Sequence, residues 1–110
     1  MAYDEALAAR IRTAFEGESG VVEKKMFGGV AFMVSGNMAC GVAGGNELMV
    51  RVGPDNYEDA LSRPHARPMG FTGRPMRGMV YVARPGFESD QDLGAWVESG
   101  ASFARSLPPK

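Results

Sequence analysis

Cysteine, histidine and tryptophan each occur once in this 110-residue chain, as Cys40, His65 and Trp96. A single cysteine excludes a disulfide framework and a cysteine-rich zinc site. A single histidine leaves the commonest general base and metal ligand available at one position only. No apolar run approaches the length of a membrane span. The opening Met1-Ala2-Tyr3-Asp4-Glu5 is acidic and polar, which is wrong for a targeting segment. Together these absences point to a reducing cytoplasm. Surplus charge is missing as well: the formal net charge is -1 and the pI about 5.8. Domains that bind nucleic acid generically tend to be strongly basic, so the balance argues against that class.

What is present is an ordinary globular composition, 45% hydrophobic and 23% charged, long enough for one domain over residues 1–110 with a single core. The chain is organised around residues 24–42. Two apolar runs, Val30 to Val34 and Met38 to Val42, flank Ser35-Gly36-Asn37. Gly36-Asn37 reads as the two-residue turn of a β-hairpin, because both residues tolerate positive φ. Gly28-Gly29 before it can bend or bulge the strand, or admit another backbone.

The other elements follow from periodicity. Tyr3 to Glu16 carries Tyr3, Leu7, Ile11, Ala14 and Phe15 on one helical stripe, with Asp4 and Glu5 in the first turn to meet the dipole. Val21 to Met26 is placed as an extension of the sheet. After the Gly44-Gly45-Asn46 turn, Leu48 to Val52 alternates, with Leu48, Val50 and Val52 on one face and Met49 and Arg51 on the other. Arg51 is read as solvent-facing. Gly53-Pro54-Asp55 opens a short helix with Tyr57, Ala60 and Leu61 inward, and Pro64 stops it. Prolines and glycines forbid a helix from Ser62 to Ala83; strands fit about Pro68 to Phe71 and at Met79 to Val82. Ser89 caps the last helix, whose stripe is Leu93, Trp96, Val97, Gly100, Phe103, Ala104 and Leu107. The expected fold is a two-layer α+β domain: one antiparallel sheet of about five strands with helices on one face.

Convergent chemistry is thin. Cys40 and His65 are the only conventional nucleophile and base, and Cys40 lies in an apolar strand where a thiol is inert. They are read as a packed thiol and an ordinary loop histidine. Glu88, Asp90 and Asp92 lack the pattern of a calcium loop and serve the helix start instead. Gly41-Val42-Ala43-Gly44-Gly45 lacks the Lys-Ser/Thr ending of a phosphate loop. No cofactor or metal site is expected.

One charge pattern stands out. Between Asp59 and Glu88 the chain has no acidic residue but carries Arg63, Arg67, Arg74, Arg77 and Arg84, with Phe71 and Tyr81 interleaved. Arg63, Arg67, Arg74 and Arg77, with Lys24 and Lys25 alongside if the fold allows, form a candidate contact surface for nucleic acid, an acidic protein partner or a phosphorylated small molecule. The competing account has the arginine heads paired internally and their stems covering apolar surface, and it is preferred. The methionines, mostly in or near strands, are read as core filling; an exposed methionine-rich face would instead be an adaptable protein contact.

Lys25-Met26-Phe27-Gly28-Gly29 with Phe32 and Gly36-Asn37, Leu48-Met49-Val50-Arg51-Val52-Gly53, Arg67-Pro68-Met69, Gly78-Met79-Val80-Tyr81-Val82 and Trp96-Val97 occur in an order that resembles the TfoX/Sxy family N-terminal domain. The resemblance runs from about Val21 to Leu107. It implies an α-β(3)-α-β(2)-α order around one antiparallel sheet. It also implies a non-enzymatic role in regulating competence genes, where full-length members are transcriptional co-activators alongside the cAMP receptor protein. The chain ends at Lys110 without the second, helical domain of those regulators, so it is expected to be a stand-alone regulatory or interaction domain. Protein contact, with the transcription machinery or by self-association, is the leading expectation. Direct nucleic-acid binding through segment 63–84, or a small-ligand or enzymatic pocket near Cys40 and His65, are the alternatives.

Overall fold

The computed structural model describes residues 4–26, 29–43, 47–71 and 74–109. Tyr3, Gly28, the Gly44-Gly45-Asn46 turn and Lys110 lie outside the described residues, as do the side chains of Met26, Met69, Phe71, Arg74, Met76 and Arg77. The elements are α1 (Glu5–Ala14), β1 (Val21–Met26), β2 (Gly29–Val34), β3 (Asn37–Val42), β4 (Leu48–Arg51), α2 (Tyr57–Ser62), β5 (Ala66–Phe71), β6 (Arg74–Val82) and α3 (Asp90–Ser106). Short 3-10 turns at Pro54–Asn56 and Arg84–Phe87 lead into α2 and α3. All pairings are antiparallel, in the order β1-β2-β3-β4-β6-β5. The sheet has six strands because Val21–Met26 pairs along its whole length with β2.

The helices pack on one face. Leu7 and Ile11 of α1, Tyr57 and Ala60 of α2, and Leu93, Trp96, Val97, Ala101 and Ala104 of α3 share one cluster with Phe32, Cys40, Leu48, Val50, Val80 and Val82. Alternation sends the intervening residues to the opposite face, where Ala31, Met38, Ala43, Met49 and Met79 form a second buried cluster edged by Met33 and Tyr81. Met49 is fully buried. These methionines fill a core and do not form an exposed face.

Helix ends obey local chemistry. Asp4 caps α1, accepting a bond from the Leu7 amide at 3.1 Å, and Ser89 caps α3, accepting from Asp92 N at 3.0 Å. The residue before Pro64, Arg63, is extended (φ -76, ψ 148), which ends α2. Phe103 and Leu107 of the predicted stripe are only half-buried, whereas Ala101 is buried and was not on it.

Three expectations need correction. The hairpin turn is Ser35-Gly36, with φ of 52° and 87°, and Asn37 belongs to β3 opposite Val34. The reason is that Asn37 is buried and donates its side-chain amide to the Pro108 carbonyl at 3.0 Å, so the serine takes the left-handed position. β6 starts five residues earlier than Met79, at Arg74, and includes Pro75. Proline is tolerated there because β4 pairs only with Met79 to Val82, so the first half of β6 bonds on the β5 side alone. Arg51 is half-buried, with its guanidinium carbon 5.1 Å from the centre of the Phe103 ring. Gly29 behaves as expected of a close approach: a Cβ there would overlap the Val42 carbonyl.

Candidate functional site

The arginines show which charges the fold has already used. Arg67, near the start of β5, makes a two-pronged bond to Glu47 (2.7 and 2.6 Å) and lies 4.7 Å from the Tyr81 ring centre. Arg84 reaches Asp4 at 2.6 Å and sits over Phe87. Arg10 ties α1 to the start of α3 through the Phe87 and Glu88 carbonyls and Asp90. Arg12 pairs with Glu23 of β1, and Arg105 bridges Glu18 and Glu98. Exposed pairs of this kind stabilise little. Their effect is to occupy the planar fork that a phosphate would need.

The lysines do not join them. Lys24 and Lys25 are exposed on β1, at the sheet edge opposite β5, and alternation sends them to opposite faces. Five strand spacings separate the edges, roughly 24 Å. Lys24 and Lys25 therefore do not extend a surface centred on Arg67. The side chains of Arg74 and Arg77 lie outside the described residues.

The pairing of Cys40 with His65 is not made. Cys40 is fully buried in β3, on the face covered by the helices, and burial pushes its thiol up to about 12. His65 is exposed just before β5, with β4 and β6 between the two strands, roughly 14 Å in strand spacings. His65 is one of two non-glycine residues with positive φ (68°) among the described residues. Its carbonyl accepts from Ala83 N at 2.9 Å, which fixes the entry to β5. Among the described residues no three potential metal ligands gather, and no helix is long and apolar enough to cross a membrane.

A concavity lies elsewhere, between α2 and α3. Val52, Asn56, Asp59, Ala60 and Arg63 form one wall, and Ala95, Glu98, Ser99 and Ser102 the other, around about 480 Å³. At one end Arg63 and Trp96 also line a smaller cleft of about 320 Å³ that includes His65 and Asp92. At the other, Gly53, Asp55, Phe103 and Ser106 line a third of about 210 Å³. Arg63 dominates this groove: its guanidinium carbon is 3.5 Å from the Trp96 ring centre, and the indole beneath is 2% exposed. Sequence reasoning identified both residues, one for charge and one for burial. It missed that α2 and α3 bring them together, because the contact spans an irregular stretch with no period to read.

Comparison with curated proteins gives no match. The family model of the TfoX N-terminal domain matches residues 13–104, spanning all six strands, α2 and most of α3. The chain belongs to the TfoX N-terminal domain family.

Proposed function

We propose that this domain is a non-enzymatic regulatory module that acts by protein–protein contact in transcription, in the cytoplasm. The observation that carries this reading is the state of its arginines. Of those in segment 63–84 whose side chains are described, Arg67 is paired with Glu47 and Arg84 with Asp4, while Arg63 lies over Trp96. A phosphate-binding surface needs several free forks on one side of the molecule, and the lysines lie at the far edge of the sheet. The burial of Cys40 away from His65 supports the non-enzymatic part. Family membership supports the regulatory part.

The test is direct binding to the cAMP receptor protein and to RNA polymerase, each immobilised, with self-association followed by sedimentation velocity. Saturable binding to either, or a reversible dimer, supports the proposal. A protein that stays monomeric and binds neither contradicts it.

A further inference from the structure

The two edges of the sheet are built differently. β5 carries Pro68 and a shift of register between Pro68 and Gly70, both devices that blunt an edge against further pairing. β1 has neither: Val21 to Met26 pairs with β2 in one unbroken register. At the head of that ladder Ser35 N donates to the Gly20 carbonyl at 3.0 Å. Hydrogen-bonded pairs alternate along an antiparallel ladder, so Val22, Lys24 and Met26 bond to β2, while Val21, Glu23 and Lys25 turn their N–H and C=O outward. On the same strand Val22 is 57% exposed, the one large apolar side chain left so among the described residues. Its cross-strand neighbour Met33 is half-buried against the second cluster.

We infer that β1 is a self-docking edge, which pairs antiparallel with β1 of a second copy about a twofold axis at Lys24. The inference rests on the protein-contact reading above and names the partner as this chain itself. Such an axis stands perpendicular to the sheet and keeps each face on its own side, so only residues of one face oppose each other. Centred on Lys24, it sets Glu23 opposite the second copy's Lys25, and Lys25 opposite the second copy's Glu23, on the face the helices cover. These are outward-turned positions, so each opposed pair also exchanges backbone bonds. On the other face Val22 meets position 26 of the copy. Centring on Glu23 or on Lys25 would set like charges face to face, and centring on Val22 would form no ion pair. The charges of the strand therefore complement those of a second copy, and in one register.

Two further charges bear on the contact. Lys24 faces its own copy on the axis, which weakens the pairing. Glu23 already accepts a two-pronged bond from Arg12 of α1. Its carboxylate is exposed and keeps lone pairs for a second cation.

Sedimentation velocity at protein concentrations up to about 1 mM, the weak end of specific binding, measures the association. The parent chain should form a reversible dimer and nothing larger, because a twofold contact closes. Lys25→Glu and Glu23→Lys should each weaken it at least about tenfold, since both attractive pairs become repulsive. Mixed in equal amounts, the two variants should regain the dimer, an acidic strand now facing a basic one. Lys24→Gln should tighten it about threefold by removing the like pair on the axis. Lys25→Pro deletes an outward N–H but none that bonds to β2, and should abolish the dimer. Circular dichroism establishes that each variant folds; if Glu23→Lys does not fold without its Arg12 pair, the other three variants decide.

A dimer that Lys25→Glu and Lys25→Pro leave unchanged would overturn the inference. So would a mixture no more associated than either variant alone. A parent chain that stays monomeric yet binds the cAMP receptor protein or RNA polymerase would also overturn it, and the partner-contact reading would stand without this edge. A chain that stays monomeric and binds neither fails both.

Discussion

Gly100 of α3 rests on the backbone of Ala39 in β3, so closely that a Cβ at position 100 would overlap the Ala39 carbonyl. The approach seats α3 on the sheet at the bulge where Phe32 faces Cys40, Met33 faces Met38, and Ala39 is left over. Gly94, six residues earlier in the same helix, has nothing within 4 Å of where its Cβ would stand.

The two glycines should therefore respond with opposite sign. Gly100→Ala forces backbone against backbone and should cost about 1–3 kcal/mol, the range for overpacking. Gly94→Ala gains helix propensity with no clash and should stabilise by up to about 1 kcal/mol. Urea denaturation of both variants measures this; equal shifts in one direction would refute the seating of α3.

Asn37 ties the β2–β3 hairpin to the end of the chain through its bond to the Pro108 carbonyl. It is buried, with 1% exposure, so removing the amide also leaves that carbonyl short of a donor. Asn37→Ala should cost about 1–3 kcal/mol. Amide exchange should quicken in the last turn of α3 more than in α1.

Acid should weaken the contacts around α1. The Asp4 carboxyl is held below its ordinary value by the Leu7 amide first and by Arg84 second, and Glu23 is lowered by its bonds to Arg12. A lowered native pKa means the unfolded chain binds protons more readily. The stabilisation is therefore present above the ordinary carboxylate range, about pH 4, and is lost as pH falls through the native values. Thermal melts should show a falling midpoint below about pH 4. Asp4→Asn keeps a capping side chain but removes the charge, and should flatten part of that slope.

Cys40 should be silent in the folded protein. A fully buried thiol pushed up to about 12 presents neither access nor thiolate. Ellman's reagent at neutral pH should release no colour until urea unfolds the chain, and then one equivalent. Rapid reaction of the native protein would mean that β3 is open to solvent.

Much of this fold is legible in the sequence because its signals are local. The alternation of Leu48 to Val52 placed Leu48, Val50 and Val52 toward the helices and Met49 opposite them, and missed only that Arg51 reaches Phe103 of α3. Ser89 and Pro64 marked helix ends through capping and through the restriction on the residue before proline. The signals that failed depend on the tertiary partner. Whether Ser35 or Asn37 enters the turn is decided by Pro108, seventy-one residues beyond Asn37. That Arg67 is paired internally was the preferred expectation, and only its partner, Glu47, twenty residues away in sequence, went unread. The groove was illegible for the same reason: Arg63 and Trp96 carry no common period, and only the packing of α2 and α3 on one sheet face makes them neighbours.

The measurement that bears most directly on the account is fluorescence anisotropy of labelled duplex DNA titrated with this protein at low and at physiological salt. Internal pairing of Arg67 and Arg84, and the placement of Lys24 and Lys25 at the far edge of the sheet, predict no binding in the micromolar range at either salt concentration. Micromolar or tighter binding that falls steeply with salt, and is lost in an Arg63→Ala, Arg67→Ala, Arg74→Ala, Arg77→Ala variant, would contradict it. The domain would then act on nucleic acid directly.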